Sequence, residues 1–465
     1  MIDVPGSWYG RLMAHVQQPP PTATSDLLGR DAAHLIHPLH DAALHRNARV
    51  WVEGDGALLT DAEGREYIDG LAGLWNVTAG HGRTELADTM RDQAATLAYA
   101  SGYTGSSNPR AIELAERLAA ICYPSINRFF FTSGGGEATE SSIKMARAVW
   151  KLRGRPDKTK VISRVNAYHG VTLAAMSATG LSPYWPLFEP RVPGFLHIPC
   201  PDPYRYEAPP GRSQGVAAAD ELERAILEAG PDTVAMFIAE PVQGAGGVIV
   251  PPDDYFPRIR EICDRYDVLL VADEVITGFG RTGRLFALDH WGVEPDIVQF
   301  AKAITSGYFP FGGIGVSDGI AATLDEAGRP WMHAYTYSAH PVGCAVALRT
   351  LDIVEDERFP EQAAAKGDDL LDRLRAALAD HPHVGDVRGK GLMCAMELVE
   401  DRASKRPFPP DRGIGAAVLR EALERGLVSR VKADTYVLAP PIVITGEQIG
   451  RTVEILADAV RAVLG

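Results

Sequence analysis

Lysine is scarce in this chain. Only nine occur among 465 residues, and arginine supplies nearly all the rest of the 46 basic residues. Cysteine is scarcer still. The five cysteines, at 122, 200, 263, 344 and 394, lie far apart and form no CxxC pair. That spacing excludes a disulfide framework and a cysteine-based zinc module, and reads as reduced thiols in a cytoplasmic protein. No basic block interrupts a net charge of −14, so nucleic acid and anionic membranes are not expected partners. No uninterrupted apolar run reaches the length that spans a bilayer, and the N-terminus shows no basic region followed by an apolar stretch. No metal-ligand spacing is visible.

What remains is a composition able to bury a large core, 46% hydrophobic and 23% charged, in a chain long enough for two or three domains. Residues 1–30 are proline-rich and are expected to form an irregular N-terminal arm. Short alternating strands broken by Gly and Asp-Gly turns are expected over 50–75. From about 80 to 335, helical stretches alternate with short apolar runs: RFFFT, KVISRV, TVAMFIAE, VLLVADE, DIVQFAK. This alternation predicts an α/β fold with a mostly parallel central sheet covered by helices. Amphipathic helices and strands mix again toward the C-terminus. The expected division is an arm (1–30), a large α/β domain (81–339), and a smaller α+β domain made of 31–80 with 340–465.

In open parallel sheets, ligands bind beyond the carboxyl ends of the strands. Polar residues gather there. Glu240 ends MFIAEP, Asp273 and Glu274 end LLVADE, Lys302 ends VQFAK, and VISRV runs into Asn166, Tyr168 and His169. A fifth run, RFFFTSGGGEATESSIKMARAVW, opens a helix through three glycines, with Thr132 or Ser133 as candidate cap. Each feature has a plain alternative: a tight turn for the glycines, a helix cap for Asp273, an ion pair for Lys302, packing for Tyr168 and His169. Taken together they supply a phosphate seat at Gly135 and Gly136, an aromatic ring, a buried acid and an isolated lysine. Pyridoxal 5'-phosphate requires that set: an amine for a Schiff base, a carboxylate to hold the ring-nitrogen proton, walls for the ring and fixed donors for the phosphate.

With these motifs in view, the sequence from about residue 35 onward resembles the class III aminotransferases of the fold-type I pyridoxal-phosphate transferases, which are aspartate aminotransferase-like. The stretches carrying the resemblance are FFFTSGGGEATESSIKMAR, NAYHG, IAEPVQGAGGVIVPP, LLVADEVITGFGRTG, FAKAITSGYFPFGG, YTYSAHP and VLAPPIVIT. GLAGLWNVTAGHG and AITSGY are most similar to the ω-transaminase branch, the amine– and β-alanine–pyruvate type.

The resemblance implies that Lys302 is the Schiff-base lysine and proton shuttle and that Asp273 bonds the pyridine nitrogen. It places Val275 and Tyr168 against the two ring faces and Glu240 and Gln243 near the ring hydroxyl. Thr336 would reach the phosphate of a second subunit, which makes the expected assembly a homodimer, alone or as a dimer of dimers. Arg430 matches the mobile arginine that clamps a keto-acid carboxylate; Trp75, Tyr99, Tyr168 and Ala245 would shape the substrate pocket. The implied activity is transfer of an amino group from an amine or ω-amino acid to a keto acid, pyruvate foremost, by a ping-pong cycle through aldimine and ketimine. A decarboxylase or aminomutase on the same fold is the alternative. One departure stands out: the family turn Ser-Gly-Ser is here Gly134-Gly135-Gly136, which removes a hydroxyl donor to the phosphate.

Overall fold

The computed structural model describes residues 24–46, 48–103 and 105–465. Residues 1–23 of the expected arm lie outside the described residues. The remainder of that arm is not irregular: 24–30 fall within the helix Thr24–His34. The prolines stop at Pro21, and the helix carries an acid, Asp26, in its first turn and His34 in its last, which suits the helix dipole. The chain packs as two compact units. The smaller holds residues up to Gly54 with Leu59–Glu66; the larger holds Asp55–Leu58 and Tyr67–Gly465. The sheets and cavities described below belong to the larger unit.

Its centre is a seven-stranded sheet of β1 (Ile126–Thr132), β2 (Lys160–Arg164), β3 (Phe195–Ile198), β4 (Val234–Ala239), β5 (Leu269–Asp273), β6 (Ile297–Ala301) and β7 (Gly312–Ser317). The spatial order is β1-β7-β6-β5-β4-β2-β3. Strands β2 to β6 run parallel, and β7 is antiparallel to both of its neighbours. Every residue of β4, β5 and β6 is buried, as expected for unbroken apolar runs covered on both faces. The two-residue period of β4 shows how. Met236 and Ile238 pack with Ile143, Ala146 and Trp150 of the helix Gly135–Leu152. Phe237 and Ala239 pack with Leu222, Ile226, Ile259 and Ile262 from the helices Gln214–Ala229 and Tyr255–Arg265. Reversing that alternation by one residue would exchange the two cores.

A second sheet lies toward the C-terminus: β8 (Val384–Gly389), β9 (Cys394–Leu398), β10 (Arg430–Lys432) and β11 (Thr435–Leu438), all antiparallel, in the order β8-β9-β11-β10. The long helices Phe359–Leu378 and Gly446–Leu464 share an apolar cluster with it. No helix among the described residues is long and apolar enough to cross a membrane.

Candidate active site

The parallel strands deliver their carboxyl ends to one place. Asp273 closes β5, Glu240 follows β4, Lys302 follows β6, and the chain leaving β2 turns back through Tyr168 and His169. With Gly135 and Gly136 from the helix that follows β1, these residues line a cavity of about 240 Å³. Val275 and Ile276 line it as well.

Asp273 is the most firmly placed group. It is buried, and its Oδ2 lies 2.6 Å from Nδ1 of the equally buried His169. Its Oδ1 accepts the Val275 backbone N–H at 3.2 Å. His169 has its other ring nitrogen, Nε2, buried without a partner among the described residues. Glu240 is fixed by two backbone donors, Tyr168 N–H at 3.0 Å and Gly244 N–H at 2.9 Å, and burial pushes its carboxyl up from the ordinary range. These bonds pin the segment that carries Tyr168 to the strand end that carries Glu240.

Lys302 differs from its neighbours. Its backbone sits at φ +49°, the left-handed region that a side chain adopts only where the surroundings enforce it. Its ammonium makes no hydrogen bond or ion pair among the described residues. Burial draws its pKa from 10.5 down to about 8, against the opposing pull of Asp273 and Glu240. Lys302 is half-buried, and what exposes it is the cavity. A lysine held this way is available as a neutral nucleophile near physiological pH.

The glycine turn fits a phosphate by its backbone. The helix it opens is 18 residues long and begins at Gly135, with Gly134 as cap and no side-chain cap. The hydroxyl cap expected at Thr132 or Ser133 is absent because the helix starts too late for it; instead the Ser133 N–H donates to Glu137 Oε2 at 2.8 Å. A Cβ at Gly135 would meet Val275 Cγ1 at 3.0 Å, so a side chain there would close the approach between turn and ring wall. The donor set of this cavity is what pyridoxal phosphate needs: amide N–H groups at a positive helix end, a fixed carboxylate, an unpaired lysine and apolar walls.

Some residues singled out from the sequence stand elsewhere. Gln243 is fully buried, its amide donating to Val165 O at 3.1 Å and its carbonyl accepting from the Cys200 thiol. Trp75 is buried in the main core with its indole N–H unpartnered among the described residues, and Ala245 is buried in the loop after Glu240. Tyr99 and Thr336 find each other, the Tyr99 hydroxyl donating to Thr336 O at 2.6 Å, and both are exposed. Arg430, in β10, is half-buried with no ion pair among the described residues, yet its charge acts on both Lys302 and Tyr168. Sequence reasoning passed over Val171, Thr172 and Ile276, which also line the cavity. Their signal was adjacency: each lies within a few residues of a residue already selected.

A parallel sheet flanked by helices, with a lysine and an acid at neighbouring strand ends around a phosphate turn, is the architecture of a fold-type I pyridoxal-phosphate transferase. Residues 41–460 match the family model for aminotransferase class-III, and the chain belongs to that family. It is 40% identical to the putrescine–pyruvate aminotransferase of Pseudomonas aeruginosa, over 91% of this chain and 92% of that protein. It is also 40% identical to the diaminobutyrate–2-oxoglutarate transaminase of Halomonas elongata, over 95% of this chain and 96% of the relative. Among solved structures it resembles a thermostable (S)-enantioselective omega-transaminase from Thermomicrobium roseum, with a TM-score of 0.91 and 48% identity, covering 95% of this chain and 99% of that one. The chain is thus a pyridoxal-phosphate-dependent aminotransferase acting on an amine and a keto acid.

Proposed function

We propose that this aminotransferase is an ω-transaminase that takes the amino group of a primary amine or ω-amino acid and passes it to pyruvate, and that it works as a cytoplasmic homodimer. The observation that carries the reading is Arg430: a guanidinium without an ion-pair partner among the described residues, whose charge reaches Lys302 and Tyr168. A free guanidinium clamps a carboxylate bidentately, and its freedom lets the same site admit a donor that has none. The Pseudomonas relative named for putrescine and pyruvate supports that pairing, whereas the Halomonas relative is named for 2-oxoglutarate. Exposed apolar side chains, among them Leu187, Met332 and Tyr337, support a second copy of the chain as partner. Thr336 in the same exposed stretch would then face the partner's phosphate.

When bound, the cofactor supplies a carbonyl that receives the amine nitrogen and a ring that withdraws electrons from the adjacent carbon. The chain does the rest. Lys302 Nζ, in its uncharged form, would take the proton from the donor's Cα and later give it back. Asp273, held by His169, would accept a hydrogen bond from the ring nitrogen. Tyr168 and Val275 would wall the ring, and Gly135 and Gly136 would offer backbone N–H groups to the phosphate. Arg430 orients the keto acid.

The test is a panel of primary amines, β-alanine and diamines against pyruvate and 2-oxoglutarate. The proposal expects pyruvate to be the better acceptor. It expects Arg430→Ala to lower kcat/KM for pyruvate by about 10- to 100-fold, the loss of a charge-assisted hydrogen-bond pair, with a much smaller change for an uncharged amine donor. Equal losses on both substrates would remove Arg430 from the site. Release of carbon dioxide from the donor would mark a decarboxylase instead.

A further inference from the structure

A second cavity, of about 270 Å³, is lined by three of the segments that also carry residues of the candidate active site. Asn166 lies two residues before Tyr168. Gly246 belongs to the loop that follows Glu240, and a Cβ there would collide with Asn166 O at 2.2 Å. Lys432 lies two residues beyond Arg430 on β10, and so on the same face of that strand. The two cavities differ in character. The walls of this one are mostly charged or polar side chains.

Most of those charges are already matched. Glu397 takes two hydrogen bonds from Arg205, at 2.8 and 2.6 Å, and one from Arg388 at 2.7 Å. Arg388 spends its other donors on Asp386 and on the carbonyls of Gly247 and Val248. Two charges are left over. Among the described residues Lys432 has a single hydrogen-bond partner, the neutral Asn166 Oδ1 at 3.1 Å, and burial lowers its pKa. Asp202 accepts one backbone N–H, from Tyr204 at 2.9 Å, and burial raises its pKa. Each pays a desolvation cost that opposite charges offset only at longer range, Arg388 for Asp202 and Glu397 with Asp202 for Lys432, and among the described residues neither makes an ion pair. An ammonium and a carboxylate facing one polar cavity, and too far apart to bond, are complementary to a small molecule that carries both charges itself.

We propose that this cavity is a binding site for a small zwitterionic amino acid, its carboxylate on Lys432 and its ammonium on Asp202, with Asn166, Cys200 and Thr435 offering further polar contacts. Binding there bears on the cofactor site, because Asn166 stands at φ +65° at the start of the segment that positions Tyr168, and Lys432 is what holds its side chain. The occupant is of the same chemical class as the amino acids that an aminotransferase consumes or releases, so the site would sense them without transforming them. The inference does not depend on which acceptor the enzyme uses.

The experiment is a calorimetric titration of glycine into holoenzyme whose Lys302 has been blocked with cofactor by borohydride, which leaves the second cavity as the open site. The expected result is one saturable site per chain. Lys432→Met and Asp202→Asn should each weaken it by about tenfold or more, the loss of one charged hydrogen bond, while Arg430→Ala leaves it unchanged. On the wild-type chain, acetate and methylamine, each carrying half of the charge pair, should bind at least about tenfold more weakly than glycine. That comparison needs no variant to fold. Absence of saturable binding, acetate binding as tightly as glycine, or a Lys432→Met chain that binds normally would each overturn the proposal.

Discussion

The two ends of the central sheet each hold a desolvated lysine, and they use it in opposite ways. At the amino ends of β2 and β4, Lys158 is fully buried and donates to three carbonyls: Val234 O and Tyr266 O at 3.0 Å and Asp267 O at 2.7 Å. It also lies 4.7 Å from the Trp150 ring centre. At the carboxyl end of β6, Lys302 has none of these partners and opens into a cavity. Burial draws both down to about 8. A lowered pKa therefore does not separate a structural lysine from a reactive one. What separates them is whether the three donors are consumed, and which end of the parallel strands the lysine occupies.

The sharpest way to break that contrast is to remove each lysine in turn. Lys302→Ala should abolish the visible absorbance that the cofactor gains on joining a lysine, and lower turnover by roughly 10⁴-fold, the upper range for a lost general acid–base group. Lys158→Met should leave absorbance and turnover close to wild type but lower stability by about 1–3 kcal/mol, because buried carbonyls lose their donor; chemical denaturation measures it. If Lys158→Met inactivates and Lys302→Ala merely destabilises, the assignment is reversed. Asp273→Asn should retain cofactor and lose about 10²-fold or more in turnover, and near-native rates would remove the carboxylate's role.

Titration sharpens the same comparison. In cofactor-free protein each lysine binds its proton less readily folded than unfolded, since 10.5 becomes about 8. Between pH 8 and 10.5 the unfolded chain therefore holds more protons, and stability should rise with pH across that window. Below pH 8 the desolvation penalty is fully present. Lys158→Met and Lys302→Met should each flatten the rise, and loading the cofactor on Lys302 should remove that residue's share only. The smallest effects belong to the glycine turn. Gly135→Ala should weaken cofactor retention, because its Cβ presses on Val275, while Gly134→Ala meets nothing within 4 Å and should be silent. Gly136→Ser should be tolerated, with only a 3.7 Å contact to Thr172, and should slow cofactor loss by returning a hydroxyl to the phosphate.

Much of the cofactor cavity was legible in the sequence for one physical reason. Buried parallel strands are short unbroken apolar runs, so the polar residue ending each run marks a strand's carboxyl end, and those ends converge. Asp273, Glu240, Lys302, Tyr168 and the glycine turn all announce themselves that way. Thr24–His34 shows the limit: proline density masked a helix that starts after the last proline. The antiparallel placement of β7 was illegible because a run such as GGIGV carries no direction. Gln243, Trp75 and Tyr99 sit where side-chain packing over long sequence separations decides, as in the bond from Tyr99 to Thr336 across 237 positions. The polar cavity around Lys432 was equally hidden, since its walls come from stretches of chain far apart in sequence, from Asn166 to Thr435.

One measurement bears most directly on the central claim, that the lysine at the end of β6 is the one that holds the cofactor. Purified protein is incubated with pyridoxal phosphate, reduced with borohydride, digested and mapped by mass. The structure predicts a single labelled peptide containing Lys302. Label on the peptide of Lys158 or of any other lysine, or no label at all, would contradict it.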